Sequence, residues 1–460
     1  MRSMRKYKWL LLLVVFALVA AACGDDDETA TTGDAGGDTA TTAAAGDQAF
    51  AGEVVNVFGA FVDADAAAFD DTVAPFEAAT GIDVVYEGSG DFETQIGIRV
   101  NGGNAPDIAM FPQPGLWANF VADMVDFTEL GVDLEQMKSD LSTYLVELPA
   151  QVASDTGNAR DGVFGGWFRL NTKSWLWIPT PEFADAGYAV PTTWDELMAL
   201  QGQIAGDGNT PWCLGIESAG ATGWVLTDWM EDIVLRTGGT DVYDAWVSHT
   251  IPFNDPEIKR AAELLGEVMF PDGSVLGGAD GILATPFGDQ NTPMFDESPG
   301  CYLAKQAGFI TGFFPDGTFG PDVDNQTEAV PFPAIDNTSD VLLGAGDLFG
   351  VFSNAGAVAE TVKFLISPEG GEGFAQAQPG YLSPNSRFDT SNYVDPFQRQ
   401  QGELLASALA ASGFRFDASD LMPAAVGAGT FWTGMVEYVS GGPDSLDAVL
   451  QSIEDSWPSS

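Results

Sequence analysis

A chain of 460 residues is too long for one ordinary core and long enough for two, and its 45% hydrophobic and 11% aromatic content is that of a folded protein. Acidic side chains number 67 against 17 basic ones, a formal net charge of −50, which repels phosphate backbones and argues against a nucleic-acid partner. The one histidine, His249, excludes multi-histidine metal sites and leaves a histidine-based catalytic triad no other choice.

The N-terminus reads as an export signal. A basic stretch, "MRSMRKYKW", precedes an unbroken apolar run from Leu10 to Ala22 that ends at Cys23. The run falls short of the roughly 20 residues a membrane span needs. Ala20-Ala21-Ala22-Cys23 resembles a bacterial lipoprotein lipobox, with Ala20 where that family usually has Leu. The resemblance implies a signal over 1–23 and a lipidated Cys23. Residues 24–49 lack any large apolar side chain before Phe50 and read as a disordered tether. Export leaves Cys213 and Cys301 as an even remainder in an oxidising compartment, and they are expected to pair.

In chain order, "EVVNVFGAF" is a strand. Phe69, Val73 and Phe76 then recur at helical spacing, and Gly81 supplies the stop. "IDVVYEG", "DFETQIGIRVNGG" and "PDIAMF" continue as strand, helix and strand, implying a parallel sheet covered by helices. Ligands bind such sheets outside the carboxyl ends of the strands. There the turn Pro112-Gln113-Pro114-Gly115 holds an amide on a backbone fixed by two prolines. "GVFGGWFRLNTKSWLWIP" reads as extended and aromatic, and marks the exit from the first domain. Helices follow at "PTTWDELMALQGQIAGDG", which opens on a capping-box spacing, and at "TDWMEDIVLRTGG", "NDPEIKRAAELLGEVMF", "NAGAVAETVKFLI", "AAVGAGTFWTGMVEYVSGG" and "SLDAVLQSIEDSW". Strands are expected at "TPWCLGI", "GCYLAKQ", "AVPFPAI" and "VLLGAGDLFGVF".

No nucleophile elbow or P-loop occurs. "DVDNQTEAVPFP" starts like a calcium loop at Asp322 and Asp324 but lacks its glycine and final glutamate, so neither metal nor cofactor is expected. Twelve tryptophans, several beside turns, suit the apolar face of a pyranose ring, while nearby carboxylates and amides suit its hydroxyl rim. An exported glycoside hydrolase working through paired carboxylates is the enzymatic alternative. A binder of a polyamine, metal or peptide is a third, drawn from the negative charge.

Several segments carry a family resemblance: "GGNAPDIAMFPQPG", "TPWCLGIESAGATGWVLTDWMEDIVLRTGG", "CYLAKQAGFITGFFP", "GAGDLF" and "FDASDLMPAAVGAGTFWTGMVEYVS". From about Val54 to Trp457 the chain resembles the extracellular solute-binding proteins of carbohydrate ABC transporters, of the maltose and α-glucoside type. The resemblance implies an α/β, two-lobe fold, each lobe a mostly parallel sheet flanked by helices, with the ligand in the cleft. Lobe one is placed at 50–165 plus 301–350, and lobe two at 166–300 plus 351–460. It implies ligand contacts from Asp63, Asp65, Glu87, Ser89, Asp91 and Gln113 in the first lobe's turns. Trp224, Asp228 and Trp229 follow from a helix start, Phe309 and Phe313 from an aromatic segment, Asp347 from a hinge strand and Trp432 from a late helix. Partners implied are an oligosaccharide, the permease subunits and, through the anchor, the membrane; the protein is expected to be a monomer with no covalent chemistry.

Overall fold

The computed structural model describes residues 48–320, 324–336, 338 and 340–458. Cys23, the signal, nearly all of the tether and Asp322 lie outside the described residues. Strands β1 (Val54–Gly59), β2 (Asp83–Gly88) and β3 (Ile108–Phe111) are joined by helices Asp63–Thr80 and Phe92–Asn101. β4 (Gly165–Thr172) runs almost directly into β5 (Trp175–Pro179), and β6 (Ala304–Lys305), β7 (Thr327–Pro331), β8 (Leu342–Val351) and β9 (Phe414–Phe416) follow.

The strands form a first sheet in the order β2-β1-β3-β8-β4, with β9 also on β8, and a second in the order β6-β5-β7. The α/β class and the two lobes stand, but the strand sense departs from expectation. β1 pairs parallel with β2 and β3, as helical crossovers require. β8 runs antiparallel to β3 and β4, and the whole second sheet is antiparallel. The crossing explains this: β4–β5 carries the chain out of one lobe and β7–β8 carries it back, so outgoing and returning strands lie side by side in opposite senses.

Two cores form. One, around Val57, Phe69, Met110 and Phe349, packs on the first sheet; the other gathers Leu176, Ile233, Leu265 and Met435. Their membership differs from the expected division of the chain. β6 and β7, expected with the first lobe, belong to the second sheet, whereas Tyr381, Leu405 and β9, expected with the second, pack into the first core. The chain passes between cores near Lys173, Val341 and Asp417. Expected strands also shrink: "TPWCLGI" contributes only isolated bridges at Trp212, and "GCYLAKQ" only Ala304–Lys305.

The turn at Pro112 to Gly115 is the start of a short helix, Pro114–Ala118, with Pro114 in its first turn. Gly115 is required there, because a Cβ would fall 2.0 Å from the Met422 carbonyl oxygen. Cys213 and Cys301 are bonded, with Cα atoms 5.3 Å apart, and both are buried beside Trp175 and Trp177 in the second lobe's packing. The bond therefore does not span the cleft. A Cys213→Ala, Cys301→Ala variant is expected to lose about 2–5 kcal/mol in denaturant unfolding, with ligand affinity unchanged by calorimetry.

Candidate ligand-binding site

β4 supplies the floor of the site. Arg169, Asn171 and Lys173 project from one face of the extended chain into a cavity of about 190 Å³ between the lobes. A register irregularity between Trp167 and Arg169 re-aims the strand just before this run. Larger cavities of about 440 and 520 Å³ flank Leu141 and Leu145, but each is walled by the first lobe alone. Of these three cavities among the described residues, the smaller one joins charged groups from both lobes, as a ligand site at a domain interface does.

Two charge sets lie in the floor. The Arg169 guanidinium donates through Nε to Asp347 at 2.7 Å and through Nη1 to Asp65 at 2.8 Å, with the Phe61 ring 4.4 Å from its Cζ. Burial pushes the Asp347 carboxyl up, and Arg169 pulls it back. Lys173 donates to Asp228 at 2.8 Å and Asp417 at 2.5 Å. Burial drives Asp228 up to about 8 against the pull of Lys173. For Asp417 burial also opposes ionisation, but the Lys173 ammonium bonded to it wins and holds it at about 2. Carboxylate oxygens of Asp228, Glu231 and Asp417 lie within 4.8 Å of one another, a spacing that would suit a metal ion. The Lys173 ammonium already bonds two of the three carboxylates, so the positive charge there is the protein's own.

The opposite wall is aromatic. Trp224 packs 5.2 Å from Phe287 and 6.0 Å from Phe309, and Phe287 lies 5.1 Å from Phe313, ring centre to ring centre. Trp432 completes it just after a π-helical segment, Val426–Phe431, a device common at functional sites. Gly223, at φ 116°, opens the Trp224–Thr237 helix because a Cβ would fall 2.2 Å from the Trp432 carbonyl oxygen. Four buried polar atoms here have no hydrogen-bond partner: Gln113 Oε1, Asn171 Oδ1, Asp228 Oδ2 and Trp432 Nε1. Gln113 donates its amide to Glu93 at 3.2 Å, which leaves the oxygen for a ligand donor.

The structure thus brings Asp65, Ser89, Gln113, Trp224, Asp228, Phe309, Phe313, Asp347 and Trp432 to one cavity. Four residues expected as contacts stand elsewhere. Trp229 is buried in the second core, edge-on to Trp212 at 5.1 Å, because its face of the helix points inward. Glu87 is exposed and paired with Arg99 at 2.5 Å, which holds its carboxyl low. Asp63 is exposed at the helix start, and Asp91 precedes the Phe92–Asn101 helix outside the cavity. The sequence reading missed Arg169, Asn171, Lys173, Phe287 and Asp417. The first three had a signal: long polar or charged side chains at every second place in "FRLNTKSW".

A family model described as bacterial extracellular solute-binding protein matches residues 58–372. The chain belongs to this family. It is 42% identical over 409 residues to the osmoprotective compounds-binding protein GgtB of Synechocystis sp., covering 88% of this chain and 92% of that relative. It is 39% identical over 412 residues to the alpha-glucosides-binding periplasmic protein AglE of Rhizobium meliloti, covering 89% and 88%. The solved structure of the solute receptor AcbH, described as preferring β-D-galactopyranose, matches with a TM-score of 0.73 at 14% identity, over 88% of this chain and 98% of that one. At that identity the likeness shows the fold. This solute-binding protein is the substrate-binding component of an ABC importer and not an enzyme.

The two aspartates beside Lys173 give opposite pH dependences. With its folded value raised, Asp228 holds a proton that the unfolded chain releases, so its contribution is full below about pH 4 and is lost as pH rises through 8. With its value lowered, Asp417 contributes above about pH 4 and loses that contribution as pH falls through 2. Asp228→Asn is expected to flatten the fall in unfolding free energy between pH 5 and 8 by about 1 kcal/mol per pH unit, read by denaturant titration at each pH.

Proposed function

We propose that the protein captures a neutral saccharide of the α-glucoside class in the cavity between its lobes and delivers it to the permease subunits of its importer. The arrangement that carries this reading is the aromatic wall of Trp224, Phe287, Phe309, Phe313 and Trp432 facing two carboxylate–cation–carboxylate sets. Such a wall covers the C–H face of a pyranose, and the charged floor offers acceptors and donors to its hydroxyls. The name of the Rhizobium relative points to the same class of ligand. Closure requires no bond chemistry: the ligand favours the closed arrangement by binding it more tightly than the open one.

Export with a lipid anchor at Cys23 completes the proposal, with a monomer held near its permease by residues 24–49. Replacing Cys23 by Ser is expected to release the protein from the membrane fraction while leaving ligand affinity intact. Calorimetric titration with maltose, trehalose and sucrose is expected to show binding that changes little with salt, as for an uncharged ligand. Trp432→Ala should weaken it by about 2 kcal/mol or more, roughly thirtyfold. Affinity that collapses with salt would instead mark an ionic ligand, and release of aglycone from aryl glucosides would mark an enzyme.

A further inference from the structure

The Lys173 end of the cavity holds more acid than base. Asp228, Glu231, Asp417 and Asp420 all act on the one ammonium of Lys173, and from the first lobe Glu93 faces Asp420. Two more cations nearby are engaged with Asp232. Arg236 pairs with it, and Lys305 contacts it at 3.3 Å while donating to the Asp228 carbonyl oxygen at 3.1 Å. Buried acids in such excess either hold protons or await a cationic ligand.

Hydrogen bonds tell the acids apart. Glu231 accepts the N–H groups of Ala418 and Ser419, one on each oxygen. Asp417 accepts Lys173 on Oδ2, and on Oδ1 the Ser419 hydroxyl at 2.8 Å and the Asp420 N–H at 2.9 Å. Asp228 accepts Lys173 on Oδ1 at 2.8 Å, which leaves Oδ2 buried with no donor. Of these four described acids, Asp228 alone has such an oxygen, and it lines the cavity. An ionised oxygen in that position is left unsatisfied, whereas a protonated one becomes a donor. Burial, against the pull of Lys173, pushes the group the same way.

A saccharide presents two kinds of oxygen. Its hydroxyls donate and accept, but its ring and glycosidic oxygens only accept. A carboxylate can meet the first kind alone. We infer that Asp228 stands in the site as a neutral carboxylic acid whose Oδ2–H donates to a ring or glycosidic oxygen of the ligand, so that capture requires a proton. The inference rests on the saccharide reading above and adds the direction of one hydrogen bond. Lys173 holds Oδ1 as an acceptor, which leaves Oδ2 as the atom that carries the proton.

The test is calorimetry on the full chain with maltose, trehalose and sucrose between about pH 7 and 9. Affinity for each sugar that binds is expected to fall about tenfold over that range, because the acid ionises near pH 8. At the alkaline end, buffers of different ionisation enthalpy should report uptake of about one proton per sugar bound. Asp228→Asn, whose amide donates at every pH, is expected to abolish both effects. Affinity that stays level or rises toward pH 9 overturns the inference. So does an undiminished fall in Asp228→Asn, which would put the proton on Asp420 or another of the acids. If none of the three sugars binds to folded protein, the saccharide reading fails by itself, since the proton can be read without ligand. An infrared carbonyl band of a protonated carboxyl is expected to vanish with a midpoint near pH 8 in the wild-type chain and to be missing from the same difference spectrum of Asp228→Asn. A wild-type chain without that band overturns the inference whatever the sugars do.

Discussion

Three backbone segments pass between the lobes, and one helix of the second lobe grips all of them through buried acid side chains. On Trp224–Thr237, Asp228 pairs with Lys173 on the first crossing. Asp232 accepts the Ser174 hydroxyl at 2.9 Å, and that hydroxyl in turn accepts the Leu343 N–H of the second crossing at 3.0 Å. Glu231 accepts the N–H groups of Ala418 and Ser419, each at 3.0 Å, on the third. Spacings of three and four residues put these acids on one helical face. Lys305 adds a bond to the Asp228 carbonyl at 3.1 Å and a contact to Asp232 at 3.3 Å.

Burying this many acids and cations is expensive, even with burial pushing Asp228 and Glu231 toward their neutral forms, and an apolar packing of the same volume would often be as stable. What charge supplies here is position. Each acid accepts from a defined donor, so each crossing strand is held at one height against the helix. Removing a single partner would leave an uncompensated charge in a dry interior, which typically costs 3–5 kcal/mol. The same Lys173 and Asp228 that hold the crossings also line the cavity. A ligand hydroxyl bound there touches the hinge itself, which gives a direct route from occupancy to the balance between open and closed forms.

Much of the site was legible in the chain. The first three strands and two helices read correctly because period-two and helical spacings survive in "EVVNVFGAF" and "DFETQIGIRVNGG". Gln113, Trp224 and Trp432 came from family-like segments and meet in one cavity. Trp229 misled because it sits five places after Trp224, on a side of the helix turned toward Trp212 and Phe332. Glu87 misled because a half-buried arginine twelve residues on satisfies it. Arg169, Asn171 and Lys173 were passed over because charged side chains inside an apolar strand look like interruptions until the lobe that pairs with them is present.

The sequence by itself determined local matters: where strands and helices begin, which loops are stiffened by proline or freed by glycine, and that two cysteines would be left to pair. Those features depend on neighbours within a few residues. Tertiary structure alone decided the sense of the second sheet, the division of the chain between lobes, and the union of Arg169 with Asp65 and Asp347, which lie 104 and 178 positions away from it. Such partners are selected by the geometry of the crossing strands, and no periodicity along the chain records it.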